Sequence, residues 1–279
     1  MVYIITVEKV FAGKNALVIG GSGGIGRAVA LGLAERGARL VVHGGSSRER
    51  LDGALELVRA AGAEAAGFLY PIGGPQGAEP GGAGAEDGGP RESGPGAAAA
   101  AILKRARDLS GGDPPDILVC AWGPFKRGNI EDMGPGDWQS LIENNLTFPG
   151  IMVSSVLRNM ADKHWGRILL FGGTNTDTIR GARTTAVYSA AKTALGALAK
   201  SVARTVGGGF LPVGITCNVI CPGLTDTEYT GEELRFYNQE RSPGGEALKP
   251  GDIAKAALWV LENPAVNGGI IPVDRGLVF

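Results

Sequence analysis

Apolar residues along this chain come in short runs that alternate with stretches spaced for helices. Residues 15–20 read Asn-Ala-Leu-Val-Ile-Gly, a fully apolar strand ended by glycine. Residues 25–36 then place Ile25, Val29 and Leu33 on one helical face and stop at Gly37. The pattern predicts a second buried strand over 39–43 and a third over 64–70. Between them lies a helix over about 48–61 that Ser46 or Ser47 can cap and Gly62 ends. The first 70 residues therefore spell β-α-β-α-β, and parallel strands joined by helical crossovers imply an open, doubly wound sheet.

The alternation is interrupted once. Residues 73–96 are almost wholly Gly, Pro, Ala, Glu and Gln, with no apolar period. Such a segment buries too little surface to offset its ordering entropy, so a flexible loop is expected. A domain linker is the rival reading, but the pattern resumes at once with a helix over 97–109 and a fourth strand over 116–120. Residues 138–160 hold one long helix or two joined ones, with a break expected at Pro149. A fifth strand (167–171), a long helix (185–206), a sixth strand (214–220), a helix (252–261) and a seventh strand (269–273) follow. One α/β domain over 1–279, a mostly parallel seven-stranded sheet of Rossmann type, is the expected fold.

Composition narrows the function. Lys and Arg total 27 against 28 Asp and Glu, a net charge of −1. That balance gives no bulk attraction for nucleic acid or an anionic membrane. The three cysteines, Cys120, Cys217 and Cys221, lack framework spacing and His partners. They read as buried thiols, with neither disulfide nor metal site expected. No stretch approaches the ~18 consecutive apolar residues of a spanning helix. Residues 1–11 lack a signal layout, so a cytoplasmic protein is expected.

Two constellations carry chemistry. Gly20-Gly-Ser22-Gly-Gly24-Ile25-Gly26 joins the first strand to the first helix. Glycines there permit a tight turn and close backbone approach to a pyrophosphate, which the helix N-terminus favours. The run satisfies G-x-G-x-x-G through Gly21, Gly23 and Gly26, and G-x-x-x-G-x-G through Gly20, Gly24 and Gly26. After the second strand no carboxylate stands ready for ribose hydroxyls. Ser46, Ser47 and Arg48 suit a 2′-phosphate instead, so NADP is expected, with NAD as the alternative. Further on, Tyr188 and Lys192 are four apart in a helical segment and share a face. A nearby ammonium lowers a phenol's pKa and so prepares it for acid-base work.

On these residues the chain resembles the short-chain dehydrogenases/reductases over nearly its whole length. The glycine loop is similar to that family's T-G-x-x-x-G-I-G, with Ile19 for Thr. Cys120-Ala121-Trp122-Gly123 stands for N-N-A-G. Asn145-Leu-Thr147, Gly166-Arg-Ile168, Pro222-Gly223-Leu-Thr225-Asp-Thr227 and Val273-Asp-Arg-Gly276 match further motifs. The resemblance implies Tyr188 as general acid/base, Lys192 as its partner and ribose anchor, and Asn145 as holder of a relay water. It places Ala121, Gly123, Pro222, Gly223 and Thr225 along the cofactor. It also implies a substrate lid at about 224–248 and a homodimer or homotetramer built on helices around 145–160 and 185–206. Phe125, Trp122, Tyr229, Phe236 and Tyr237 are candidates to line the pocket. The family's catalytic serine falls by register on Gly173, so either Thr174 or Asn175 substitutes, or activity is poor, or the substrate is unusual. The third strand ends Tyr70-Pro-Ile72, without the family's usual acidic residue near the adenine. The implied activity is hydride transfer between a nicotinamide cofactor and a small ketone or secondary alcohol. The altered motifs keep a second reading open, a dinucleotide-binding sensor or scaffold with little catalysis.

Overall fold

The first apolar run becomes strand β1 (Asn15–Ile19), and all five residues are buried. A parallel strand covered on both faces reads as a continuous apolar run for that reason. Its alternate side chains feed two cores. Val18 packs with Val29 and Leu33 of α1 (Gly24–Glu35), Leu51 and Val58 of α2 (Arg48–Ala60), and Ile253 and Ala257 of α7 (Pro250–Glu262). On the other face, Leu17 and Ile19 pack with Ile102 of α3 (Pro95–Leu109). Met152 and Val156 of α5 (Phe148–Asp162) and Leu195 of α6 (Ala186–Gly207) complete that core.

The remaining strands are β2 (Arg39–Gly44), β3 (Ala65–Leu69), β4 (Ile117–Cys120), β5 (Gly166–Phe171), β6 (Ile215–Pro222) and β7 (Ile270–Val273). All pairings are parallel, in the order β3-β2-β1-β4-β5-β6-β7. The chain thus winds outward from β1 in both directions, and a crevice opens at the carboxyl ends where the winding reverses. The computed structural model describes residues 8–73, 94–232 and 240–277. Of the loop expected over 73–96, residues 74–93 lie outside the described residues. Its last two positions belong instead to α3, where Pro95 occupies the first turn and needs no N–H partner.

The break expected at Pro149 takes a specific form. Helix α4 (Pro135–Ile142) runs through a π turn (Glu143–Thr147) directly into α5. Pro149 has no N–H to give to the Asn145 carbonyl, so the helix widens there rather than ending. That widened turn buries Asn144 and Asn145.

The opposite end of the sheet is held by charge. Buried Arg167 donates to the carbonyls of Leu261, Gly166 and Gly214 at 2.9, 2.9 and 2.7 Å, tying α7 and the approach to β6 onto β5. Asp116 accepts from the Asn15 backbone at 2.9 Å and pairs with Lys163 at 2.7 Å.

Candidate active site

The residues singled out in the sequence gather at the carboxyl ends of β1, β2, β4, β5 and β6. Gly20 closes β1 with φ +73, and a β-carbon there would stand 2.8 Å from the Ala121 carbonyl oxygen. A β-carbon on Gly26 would collide with the Gly20 carbonyl. The geometry therefore uses the Gly20/Gly24/Gly26 spacing, with Gly24 opening α1. Helix α1 has no side-chain N-cap and no acidic residue in its first turn, so its N-terminal N–H groups form an anion cradle, and the Gly24 N–H already donates to the Glu228 carboxylate at 2.9 Å. Ile25 packs against the core beside it. Ser22 is buried against Gly44 at the end of β2.

On the adenosine side, Ser47 accepts from the Arg50 backbone at 3.3 Å and caps α2. Its hydroxyl proton remains available to a phosphate. Ser46 is half-buried beside it and Arg48 is exposed at the helix start. Arg50, not singled out in the sequence, joins them and stacks 4.9 Å over the Tyr229 ring. The glycine loop, the bare helix start and this hydroxyl-guanidinium group fit a dinucleotide with a 2′-phosphate.

Tyr188 lies in the first turns of α6 and is half-buried. Phe125 packs edge-on against it, with ring centroids 4.9 Å apart. One turn on, Lys192 is only 4% exposed and donates to the Phe171 carbonyl at 3.0 Å. Its ammonium is 5.8 Å from the Tyr188 ring centroid. Burial lowers Lys192 to about 8, with the Cys120 and Cys221 thiols opposing. The expected lowering of the Tyr188 phenol is not what this environment produces. Burial pushes it above its ordinary value, Cys221 adds to the rise, and neither is offset by Lys192. The phenol is thus held in its protonated form, the form that donates to a carbonyl oxygen.

Asn145 is fully buried in the π turn. Its amide donates to the Pro124 carbonyl at 2.9 Å, while Oδ1 has no protein partner. That oxygen and the Lys192 Nζ converge on Gly123, where any β-carbon would strike the oxygen and stand 3.2 Å from the Nζ. Ala121 pairs with Ile19, Gly223 with Val273, and the Thr225 hydroxyl donates to the Gly223 carbonyl, so the Pro222–Gly223 turn is fixed.

Tyr188 lines a cleft of about 500 Å³ with Phe125, Thr174, Asn175, Ser189 and Leu224. The Thr174 hydroxyl donates to the Pro222 carbonyl at 3.1 Å. Asn175 sits at φ +59 and accepts from Arg180 at 3.2 Å. Three guanidinium groups, Arg127, Arg180 and Arg183, line the same cleft, and no carboxylate does among the described residues. They gave no sequence signal, because two separate loops bring them together. Two aromatic candidates lie elsewhere: Trp122 packs edge-on against Phe148, and Tyr229 lies against the glycine loop. Phe236 and Tyr237 fall outside the described residues. The three cysteines are free, buried thiols, and no metal-ligand cluster occurs among the described residues. Nor is any described helix long and apolar enough to cross a membrane.

Known proteins resemble this chain over nearly its whole length. A family model described as Enoyl-(Acyl carrier protein) reductase matches residues 97–278, and one described as short chain dehydrogenase matches residues 14–76. A 3-oxoacyl-[acyl-carrier-protein] reductase of Vibrio cholerae is 31% identical over 95% of this chain and 97% of its own length. A 2-dehydro-3-deoxy-D-gluconate 5-dehydrogenase of Formosa agariphila is 26% identical over 95% and 93%. The structure of a short chain dehydrogenase from Burkholderia cenocepacia in complex with NADP has a TM-score of 0.76 at 26% identity. It covers 96% of this chain and 98% of that one.

Proposed function

We propose, on the premise that this chain belongs to the short-chain dehydrogenase/reductase family and is an NAD(P)-dependent oxidoreductase, that it interconverts a ketone and a secondary alcohol with Tyr188 as general acid/base. The observation that carries this reading is the Tyr188 phenol in the wall of a cleft, with the buried Lys192 ammonium one helical turn behind it, 5.8 Å from the ring centroid. NADP, the cofactor named with the Burkholderia structure, fits Ser46, Ser47, Arg48 and Arg50 better than NAD does. Gly20, Gly24, Gly26, Ala121, Gly123, Pro222, Gly223 and Thr225 shape the rest of its groove.

The reduced nicotinamide, when bound, supplies the hydride. Tyr188 gives its proton to the carbonyl oxygen as that oxygen gains charge. Thr174 adds a second hydrogen bond by turning its proton from the Pro222 carbonyl to the substrate. Lys192 stabilises the phenolate left behind. Asn145 Oδ1 orients a water that returns a proton to Tyr188. Arg183 and Arg127, with Arg180 held by Asp177 beside them, give the cleft a positive lining that favours a substrate carrying a carboxylate or phosphate. The Formosa relative is named for an anionic sugar acid, a gluconate derivative. A cytoplasmic protein is the setting that suits this chemistry, and the half-buried faces of α5 and α6 suit assembly into a dimer.

Gly173 in place of the family's serine favours one other reading, a dinucleotide-binding sensor without turnover. Tyr188→Phe separates the two. NADPH-dependent reduction across keto acids and neutral ketones should fall by about a hundredfold or more in the variant, while NADPH binding persists. Turnover that survives the substitution would remove Tyr188 from the mechanism. No turnover in the unsubstituted protein would leave the sensor.

A further inference from the structure

We infer that Glu228 and Tyr229 plug the phosphate cradle of the cofactor groove, so that dinucleotide binding has to displace this loop tip. The inference rests on the cofactor site proposed above. Helix α1 begins with bare N–H groups, and the chain supplies their acceptor from 204 residues away: Glu228 Oε1 accepts from the Gly24 backbone at 2.9 Å. The same oxygen pairs with Arg27, on the first turn of α1, at 3.5 Å. The Glu228 side chain is only 29% exposed.

Tyr229 continues the cover. Its hydroxyl presses on Gly23, where any β-carbon would meet it and would stand 2.6 Å from Glu228 Oε1. Its ring carries the Arg50 guanidinium at 4.9 Å. Together the two side chains bridge the start of α1 and the start of α2, the stretch along which pyrophosphate and adenosine must lie. A carboxylate and a pyrophosphate oxygen both accept from the Gly24 N–H and both repel each other, so they exclude one another.

The loop is built to release its tip and keep its stem. Thr225 and Leu248 form a parallel bridge. Leu248 N donates to the Leu224 carbonyl and Asp226 N to the Leu248 carbonyl, both at 2.8 Å. The tip beyond Asp226 is a turn of its own, closed by Thr227 N on the Thr230 hydroxyl at 3.0 Å and Thr230 N on the Thr227 carbonyl at 2.9 Å, with one long bond of 3.5 Å from the Thr230 hydroxyl to the Thr225 carbonyl of the stem. A competitor inside the chain lowers apparent affinity by the fraction of molecules it keeps closed.

The test is an NADPH fluorescence titration of the full chain and three variants. Glu228→Gln keeps the shape and removes the charge. Its Kd is expected to fall about tenfold, equivalent to ~1.4 kcal/mol, and its Gly24 amide should exchange faster. Tyr229→Ala should tighten binding in the same direction. Glu246→Gln removes a carboxylate of the same loop that pairs with Arg275 instead, and should leave the Kd unchanged. Unchanged or weaker binding by both Glu228→Gln and Tyr229→Ala would overturn the plug. Equal tightening by Glu246→Gln would also overturn it, in favour of loop charge at large. NADPH binding by none of the proteins would instead defeat the cofactor site itself, and the plug with it.

Discussion

A β-carbon built at Gly173 would stand 2.8 Å from Cε1 of Tyr188 and 3.0 Å from its hydroxyl oxygen. Register along β5 identifies this position as the one where the family keeps a serine. It does not reveal that the Tyr188 ring already lies against this position. Restoring the serine therefore crowds Tyr188 before it adds a donor. Gly173→Ser is expected to lower kcat/KM and to cost about 1–3 kcal/mol of stability, read by steady-state kinetics and urea melts. A rate that rises with unchanged stability would show that the ring yields freely. Tyr188, Lys192 and Asn145 were legible because spacing and motif survive in one dimension. Glu228 on Gly24 was not, since no local pattern links residues 204 positions apart. Burial of the phenol was equally invisible, and it reverses the direction in which Lys192 alone would move the pKa.

Three strand ends meet at His43. Its Nδ1 accepts from the Gly20 backbone at 3.2 Å, its Nε2 donates to the Tyr70 carbonyl at 2.8 Å, and its own carbonyl accepts from Gly21 at 2.9 Å. One neutral tautomer thus fastens the glycine loop to the ends of β2 and β3. This positioning role joins residues 20, 43 and 70 and is visible only in three dimensions. Burial lowers its pKa to about 4, against the Tyr70 contact that favours the charged form. Because the folded value lies below the unfolded one, this stability is fully present above about pH 6.5. It is lost as pH falls towards 4, by up to about 3 kcal/mol. Urea melts at pH 7.5 and 5 should show the loss, and His43→Asn should shrink it. An equal pH dependence in the variant would place the titration elsewhere. Among the elements, the seven strands follow the apolar runs to within two residues at either end. The π turn was expected only as a break, because Pro149 shows where an α-helical hydrogen bond fails but not how the helix continues.

At the scale of the molecule, the α-β alternation was enough to expect one doubly wound sheet, since the strand runs are mostly apolar and alternate with stretches spaced for helices. The cleft was harder to foresee, because its arginines come from loops whose path no periodicity sets. Outside the cleft, Leu146, Ile151 and Leu198 line a second shallow concavity between α5 and α6. Such a face, rimmed by Ser154 and Ser155, suits a second copy of the chain. Light scattering on the purified protein is expected to give a dimer or its multiple, and Ile151→Arg to give a monomer. A monomer before substitution would leave that face without a self-partner.

The central event of the proposed reaction is hydride reaching a carbonyl carbon in the Tyr188 cleft. The direct measurement supplies NADPH deuterated at the transferring position of its nicotinamide, together with a panel of keto acids, and follows the product by mass spectrometry. The predicted result is deuterium on the carbinol carbon with the unsubstituted protein, lost in Tyr188→Phe. Bound NADPH with no label in any product would contradict the account and leave a binding protein in its place.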